Sequence, residues 1–264
     1  MPDTISALDL LSFIGTIVAN FLIGTNQERS VADISHKNPN RFVPSDGTFA
    51  IWGVIYTLLT VFVIFRQFKG SQPNYQSVGI LFTLTNILNP LWIFFWVNER
   101  YYMAQIMITL LLITLIITYA RADVKYGQDN NKSFIDTLAI NSPFSMYLAW
   151  LCVATIVGAA VTISRYIQPV RSETTKVHLF GIDDELWSVI MQAAVITLTV
   201  LMAYLKKDFI FAAVATWALY GIRSNNLNNF PNVSQMAGYG SAICAITCAL
   251  AFLSTFVGKK SKKL

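Results

Sequence analysis

Eight apolar runs divide the chain. They fall at about 5–25, 48–66, 77–97, 101–120, 143–164, 185–205, 208–222 and 236–257, with polar stretches between them. A helix that crosses a bilayer needs roughly 20 mostly apolar residues. Most of the runs meet that length; the seventh, DFIFAAVATWALYGI, is the shortest. The pattern predicts an all-α fold, a polytopic transmembrane helix bundle of about eight spans, with no soluble domain. The longest connections are about 26–47, 121–142, 165–184 and 223–235. The first, NQERSVADISHKNPNRFVPSDG, mixes charges with Asn, Pro and Gly. It reads mainly as an ordered loop or lid with room for a short helix, since loops of ~20 residues in compact proteins are usually functional or disordered. SQPNY and YGQDNNKS read as turns.

Within the runs the polar and aromatic positions are periodic. At 100° per residue, Phe82, Thr85, Asn89, Trp92 and Trp96 share one face of the third span. Phe49, Trp52, Tyr56 and Thr60 do the same on the second, and Pro143, Tyr147, Trp150 and Ala154 on the fifth. Two readings stand side by side. One is packing plus belts of Trp and Tyr at the headgroup level, which suits Trp96 and Trp217. The other is a shared ligand pocket to which three helices each present rings and a few hydrogen-bonding groups.

The stretch NPLWIFFW in the third span raises a backbone question. Pro90 has no N–H, so the carbonyl of Asn86 loses its helical partner. In lipid an unsatisfied carbonyl costs several kcal/mol. The side chains of Asn86 or Asn89, or a neighbouring helix, must supply a donor. Asn20 in the first span is another amide in need of a partner, and for all three hydrogen bonding between helices stands beside a part in a binding site. Ala237, Ser241, Ala245 and Ala249 recur every four residues, a spacing that lets helices approach closely.

Composition agrees with the pattern. Hydrophobic residues make up 55% of the 264 and charged residues 12%, against about 25% charged in soluble domains; mean hydropathy is +0.52. The N-terminal MPDTISALDLLSFIG has neither a basic flank nor a cleavage site, so no removable signal is expected. With eight spans, eleven Lys/Arg fall on the side of the termini and eight on the other. The positive-inside rule then places both termini in the cytoplasm. The basic tail KKSKKL reads as a membrane-surface anchor or a dilysine retrieval signal. Asn131 and Asn232 begin sequons on opposite sides, so at most one is available for glycosylation.

Chemistry is limited by what the spans lack. Apart from Asp9, and Lys206, Lys207 and Asp208 between two spans, they carry almost no ionisable residues. Ion-coupled carriers and proton relays need such groups in the bilayer, and acid–base hydrolysis needs them in its site. His36 and His178 lie in loops. No Ser-His-Asp set, HExxH motif or phosphate loop is evident, so no enzyme is expected. Cys152, Cys244 and Cys248 read as small packing residues rather than a metal set.

Three motifs carry a family resemblance. PSDGTFAIWGVIY (44–56), NPLWIFF (89–95) and PFSMYLAWLCVA (143–154) resemble, in order and placement, motifs of the TspO/MBR family. The similarity covers about residues 5–168 and is strongest to the longer branch labelled tryptophan-rich sensory protein, in which further spans follow the core. It implies a TspO-like five-helix core over 1–168, with about three additional helices and a basic tail over 169–264. It also implies a ligand site between helices near the first loop, with Trp52, Tyr56, Asn89, Trp92, Tyr147, Trp150 and Ala154 at the matched positions. The implied ligands are porphyrins such as haem or another tetrapyrrole, sterols, or other flat apolar molecules. Departures fall where the family has a loop Pro pair (Val43 beside Pro44), a loop Trp (Asp46), a later Asn (Gly158) and a Ser-Pro (Ile93 and Phe94, with Pro90 instead). A fold carries over more readily than its ligand.

The leading expectation is therefore a multi-pass membrane protein that binds or carries a hydrophobic ligand, with Trp and Tyr supplying flat faces and Asn89 one orienting amide. Alternatives are a facilitator without ion coupling and a structural or accessory subunit of a membrane complex. Expected partners are membrane lipids, a hydrophobic small molecule and a second copy of the chain or a larger complex, not nucleic acid.

Overall fold

A computed structural model describes residues 4–24, 30–38, 40–126, 133–167, 178–179 and 182–260. Asn131 and the last four residues of the basic tail lie outside them.

Among the described residues eight helices have 18 or more residues: α1 (Thr4–Gly24), α3 (Ile51–Lys69), α5 (Ile80–Val97), α6 (Tyr101–Arg121), α8 (Ser142–Ile167), α9 (Asp184–Lys206), α10 (Phe209–Asn226) and α11 (Pro231–Lys260). Short helices α2 (Val31–His36), α4 (Pro73–Gln76) and α7 (Phe134–Asp136) lie between them, and a 3-10 turn at Asp46–Ala50 leads into α3. A two-stranded antiparallel hairpin, β1 (His178–Leu179) and β2 (Ile182–Asp183), precedes α9. Neither the hairpin nor α7 shows in the hydropathy pattern, because each is too short to have a period. Seven of the eight long helices are long and apolar enough to cross a membrane. The eighth, α10, is the short seventh run of the sequence. It is a full helix with a buried face that includes Phe211, Val214, Leu219 and Ile222.

Local chemistry sets the ends of these helices. Ser30 and Asp33 form a capping box at the start of α2, which satisfies two otherwise orphaned N–H groups. The carboxylates of Asp183 and Asp208 accept the Leu186 and Phe211 amides at the starts of α9 and α10. Pro231 opens α11, where its missing N–H costs nothing. Lys207 takes a left-handed conformation (φ 53°) and reverses the chain between α9 and α10.

The core runs α1 against α5, α5 against α6, α6 against α8, and α8 against both α3 and α10; α10 packs on α11 and α11 on α9. The start of α1 meets the end of α3, because Gln67 donates to the Ser6 carbonyl. Lys69 pairs with Asp136 just before α8. Tyr126 N–H donates to the Lys206 carbonyl, and Lys207 Nζ reaches Ser254 near the end of α11. These contacts place the start of α1 and the end of α11 at the same end of the bundle.

Candidate functional site

The α1–α5 seam is a ladder of polar side chains. Asp9, Ser12, Thr16 and Asn20 recur along one face of α1, and Thr83, Asn86 and Asn89 along the facing side of α5. Thr83 Oγ1 donates to Asp9 (2.8 Å) and Asn86 Nδ2 to Ser12 Oγ (3.0 Å). Thr16 Oγ1 donates to the Asn86 carbonyl at 2.6 Å. That carbonyl is the one Pro90 deprives of its amide, so the neighbouring helix supplies the missing donor. Asp9 is fully buried and also meets Arg66, 1% exposed, at 3.2 Å; Arg66 donates in turn to the Gly70 carbonyl. The first span is thus joined to α3 and α5 by a buried ion pair at one end and by amides at the other.

The upper end of this ladder opens into the aromatic cluster. Asn20 Nδ2 donates to Tyr56 Oη (2.6 Å) and to Asn89 Oδ1 (2.9 Å). Tyr56 donates to Asn89 Oδ1 (3.1 Å), and Asn89 Nδ2 donates to Tyr147 Oη (2.9 Å). Four helices meet in this one network. Directly above it, Trp52 stacks on Tyr56 with centroids 5.6 Å apart and lies 5.7 Å from Trp92. It also meets Tyr147 and Trp150 edge-on at 5.8 and 6.3 Å. Such offset and edge-on pairs are each worth about 0.5–1.5 kcal/mol beyond area burial.

All seven positions singled out in the sequence fall in this region, in two layers. Trp52, Trp92, Trp150 and Ala154 line a cleft, together with Phe49, Trp96, Val153 and Val157. Tyr56, Asn89 and Tyr147 form the floor, where they bond to one another and to Asn20. Asn89 therefore acts first as the hub of the floor, with its oxygen and one N–H already engaged.

Val31, Ser35 and Pro44 of the first loop form the roof. Trp96 packs inward: it is 3% exposed, lines the cleft, and donates through Nε1 to the Val31 carbonyl (3.3 Å). Its place one turn beyond Trp92 on the same face was the signal for this. The buried Nε1 of Trp150 has no acceptor among the described residues. The cleft is nearly closed, with a cavity volume of about 20 Å³, room for roughly one water.

The roof is held from three sides. Asn38 donates to Tyr101 Oη (2.8 Å) and accepts from Arg165 Nε (2.5 Å). Arg41 lies 3.4 Å from Asp184 at the start of α9, with its guanidinium 3.4 Å above the Phe230 ring. On α10, the Gly221 carbonyl accepts from Ser45 N–H (3.1 Å), and Asn225 and Asn226 donate to the carbonyls of Val43 and Arg41. Trp217 Nε1 donates to the Thr48 carbonyl (2.9 Å). Glycine is needed at 221 because a Cβ there would collide with Thr48 Oγ1 and lie 3.0 Å from Pro44 Cβ. None of these links was legible in the sequence, because each joins residues more than 60 positions apart.

At the far end, Asp208 is fully buried and accepts from Ser145 (2.7 Å), Tyr119 (2.8 Å) and the Phe211 amide. Among the described residues no three or more His, Cys, Asp or Glu side chains cluster so as to hold a metal ion. Cys244 is fully buried, and Cys248 reaches the Phe209 carbonyl at 3.2 Å. On α11 the buried face runs through Val233, Ala237 and Cys244, while Ala245 and Ala249 are exposed.

The fold and its aromatic cleft define a polytopic, all-helical membrane protein with a ring-lined pocket beneath its first loop. The chain belongs to the TSPO-like protein family, whose sequence model matches residues 6–251. The match extends past residue 168 through the later helices. No curated protein and no solved structure matches the chain.

Proposed function

We propose that the chain binds or carries a flat hydrophobic molecule, porphyrin-, sterol- or lipid-like, between helices at the tryptophan cleft. The observation that carries this reading is the convergence of Trp52, Trp92, Trp96 and Trp150 from three helices on one cleft under one loop. Ring faces suit a flat apolar ligand, and a few placed polar groups suit its orientation. Trp150 Nε1 is the donor left for an acceptor on that ligand. Tyr56, Asn89 and Tyr147 hold the ring-bearing helices in register. Membership in the TSPO-like family supports a porphyrin as one ligand. Among the described residues the cleft lining offers flat faces but no His, Cys or Met to ligate haem iron, which favours a metal-free tetrapyrrole. Drug-sized ligands occupy roughly 300–1,000 Å³. The form with about 20 Å³ is therefore a closed one, and binding requires the 31–48 segment to lift from the rings.

The test is intrinsic fluorescence of the protein in lipid nanodiscs, titrated with protoporphyrin. Saturable quenching is expected. Trp92→Ala and Trp150→Ala should each weaken it by threefold or more, the equivalent of one aromatic pair's ~0.5–1.5 kcal/mol, and Trp187→Phe should leave it in place. Non-saturable quenching that is unchanged in both cleft variants would refute the reading. An accessory role in a membrane complex, with the rings as packing, would then be the better account.

A further inference from the structure

A second cavity lies on the other side of the first turns of α3. Helices α3 and α10 both pack on α8 but leave a gap between themselves. Ala50, Ile51 and Val54 form one wall, Ala213, Val214 and Trp217 the other, and Met146 of α8 the floor. Its volume is about 420 Å³, within the range of ligand sites, whereas the tryptophan cleft has almost none. Small residues line it on both sides, Ala50 at the end of the 3-10 turn and Ala213 on α10. Ile51 and Val214 are buried at its base, while Val54 and Trp217 remain about half exposed at its rim.

The chemistry of the lining decides what fits. Every lining side chain is apolar except for the indole N–H of Trp217, and that group already donates to the Thr48 carbonyl. A ligand with buried heteroatoms would lose its water hydrogen bonds here and gain none. A hydrocarbon loses nothing. Two of the three walls, α3 and α8, belong to helices long and apolar enough to cross a membrane, and the groove opens on the outer face of the bundle, where Val54 and Trp217 are exposed; lipid hydrocarbon is the matching apolar occupant. We propose that the α3–α10 groove is a binding site for one acyl chain of a bilayer phospholipid, inserted beside Trp217. The site is separate from the tryptophan cleft and does not depend on its ligand.

Wild-type protein and the fill-in variant Ala50→Leu/Ala213→Leu would be purified from vesicles of palmitoyl-oleoyl phosphatidylcholine and examined by native mass spectrometry after detergent exchange. Leu250→Phe, on an exposed part of α11, is the control. The wild type and control should retain one phospholipid per chain, and the fill-in variant should lose it while its circular dichroism melt is unchanged. A second measurement uses vesicles of chain-brominated phosphatidylcholine. The Trp217 signal is isolated by subtracting the emission of Trp217→Phe. Its quenching should fall twofold or more in the fill-in variant. Equal lipid retention and equal Trp217 quenching in the two proteins would overturn the proposal. So would a mass showing a second copy of the chain, rather than a lipid, lost on filling the groove.

Discussion

The hydrogen bond from Thr16 to the Asn86 carbonyl is the point at which a proline inside a membrane helix becomes tolerable. Thr16 is 2% exposed and its Oγ1 lies 2.6 Å from that carbonyl. Thr16→Val keeps the shape and removes the donor. The carbonyl is then dry and unpartnered, which costs about 1–3 kcal/mol by the general penalty for orphaned buried acceptors. Hydrogen bonds between membrane helices are measured at about 0.6 kcal/mol on average and about 1.7 at most, so a loss of ~1–2 kcal/mol is expected. Pro90→Ala returns a backbone N–H to the same carbonyl. In that background Thr16→Val should cost no more than about 0.5 kcal/mol, giving a coupling of roughly 1 kcal/mol in a double-mutant cycle. Reversible unfolding in mixed SDS micelles, followed by circular dichroism, measures all four proteins. If Thr16→Val costs the same with proline or alanine at 90, the carbonyl was not the partner that mattered.

Three further outcomes follow from the geometry. Arg66→Met leaves Asp9 buried without its cation and should destabilise by about 3–5 kcal/mol, while Asp9→Leu/Arg66→Met should recover most of that in the same unfolding assay. Gly221→Ala drives a methyl into Thr48 and Pro44 and should cost about 1–3 kcal/mol as overpacking; hydrogen exchange of the 41–48 amides should speed up while that of α5 stays unchanged. Burial alone would raise the Asp136 carboxyl, but hydrogen bonds from Lys69, Ser133 and Tyr75 outweigh it and hold it below the ordinary range. A depressed carboxyl adds stability above its unfolded pKa, near 3.9, and loses it as pH falls through the folded value. The melting-temperature gap between wild type and Asp136→Asn should therefore be present at neutral pH and close under acid.

The sequence by itself determined the seven helices that are long and apolar enough to cross a membrane, because a run of ~20 apolar residues in a charge-poor chain has one stable form in lipid. It also determined which faces carry rings, since 100° per residue places Trp52 with Tyr56, Asn89 with Trp92, and Tyr147 with Trp150. The three motifs reached the family before any contact was known. Periodicity gives the direction of a side chain on its own helix but not the partner it meets. Only the tertiary structure decided that Asn89 belongs to the floor with Asn20, that Trp96 faces the cleft, and that Arg66 neutralises Asp9 across 57 residues of sequence. It alone showed that α10, the shortest of the apolar runs in the sequence, holds the roof of the site through Gly221, Asn225 and Asn226. Those links depend on helix packing order and on backbone groups at chain reversals, and neither leaves a period in the sequence.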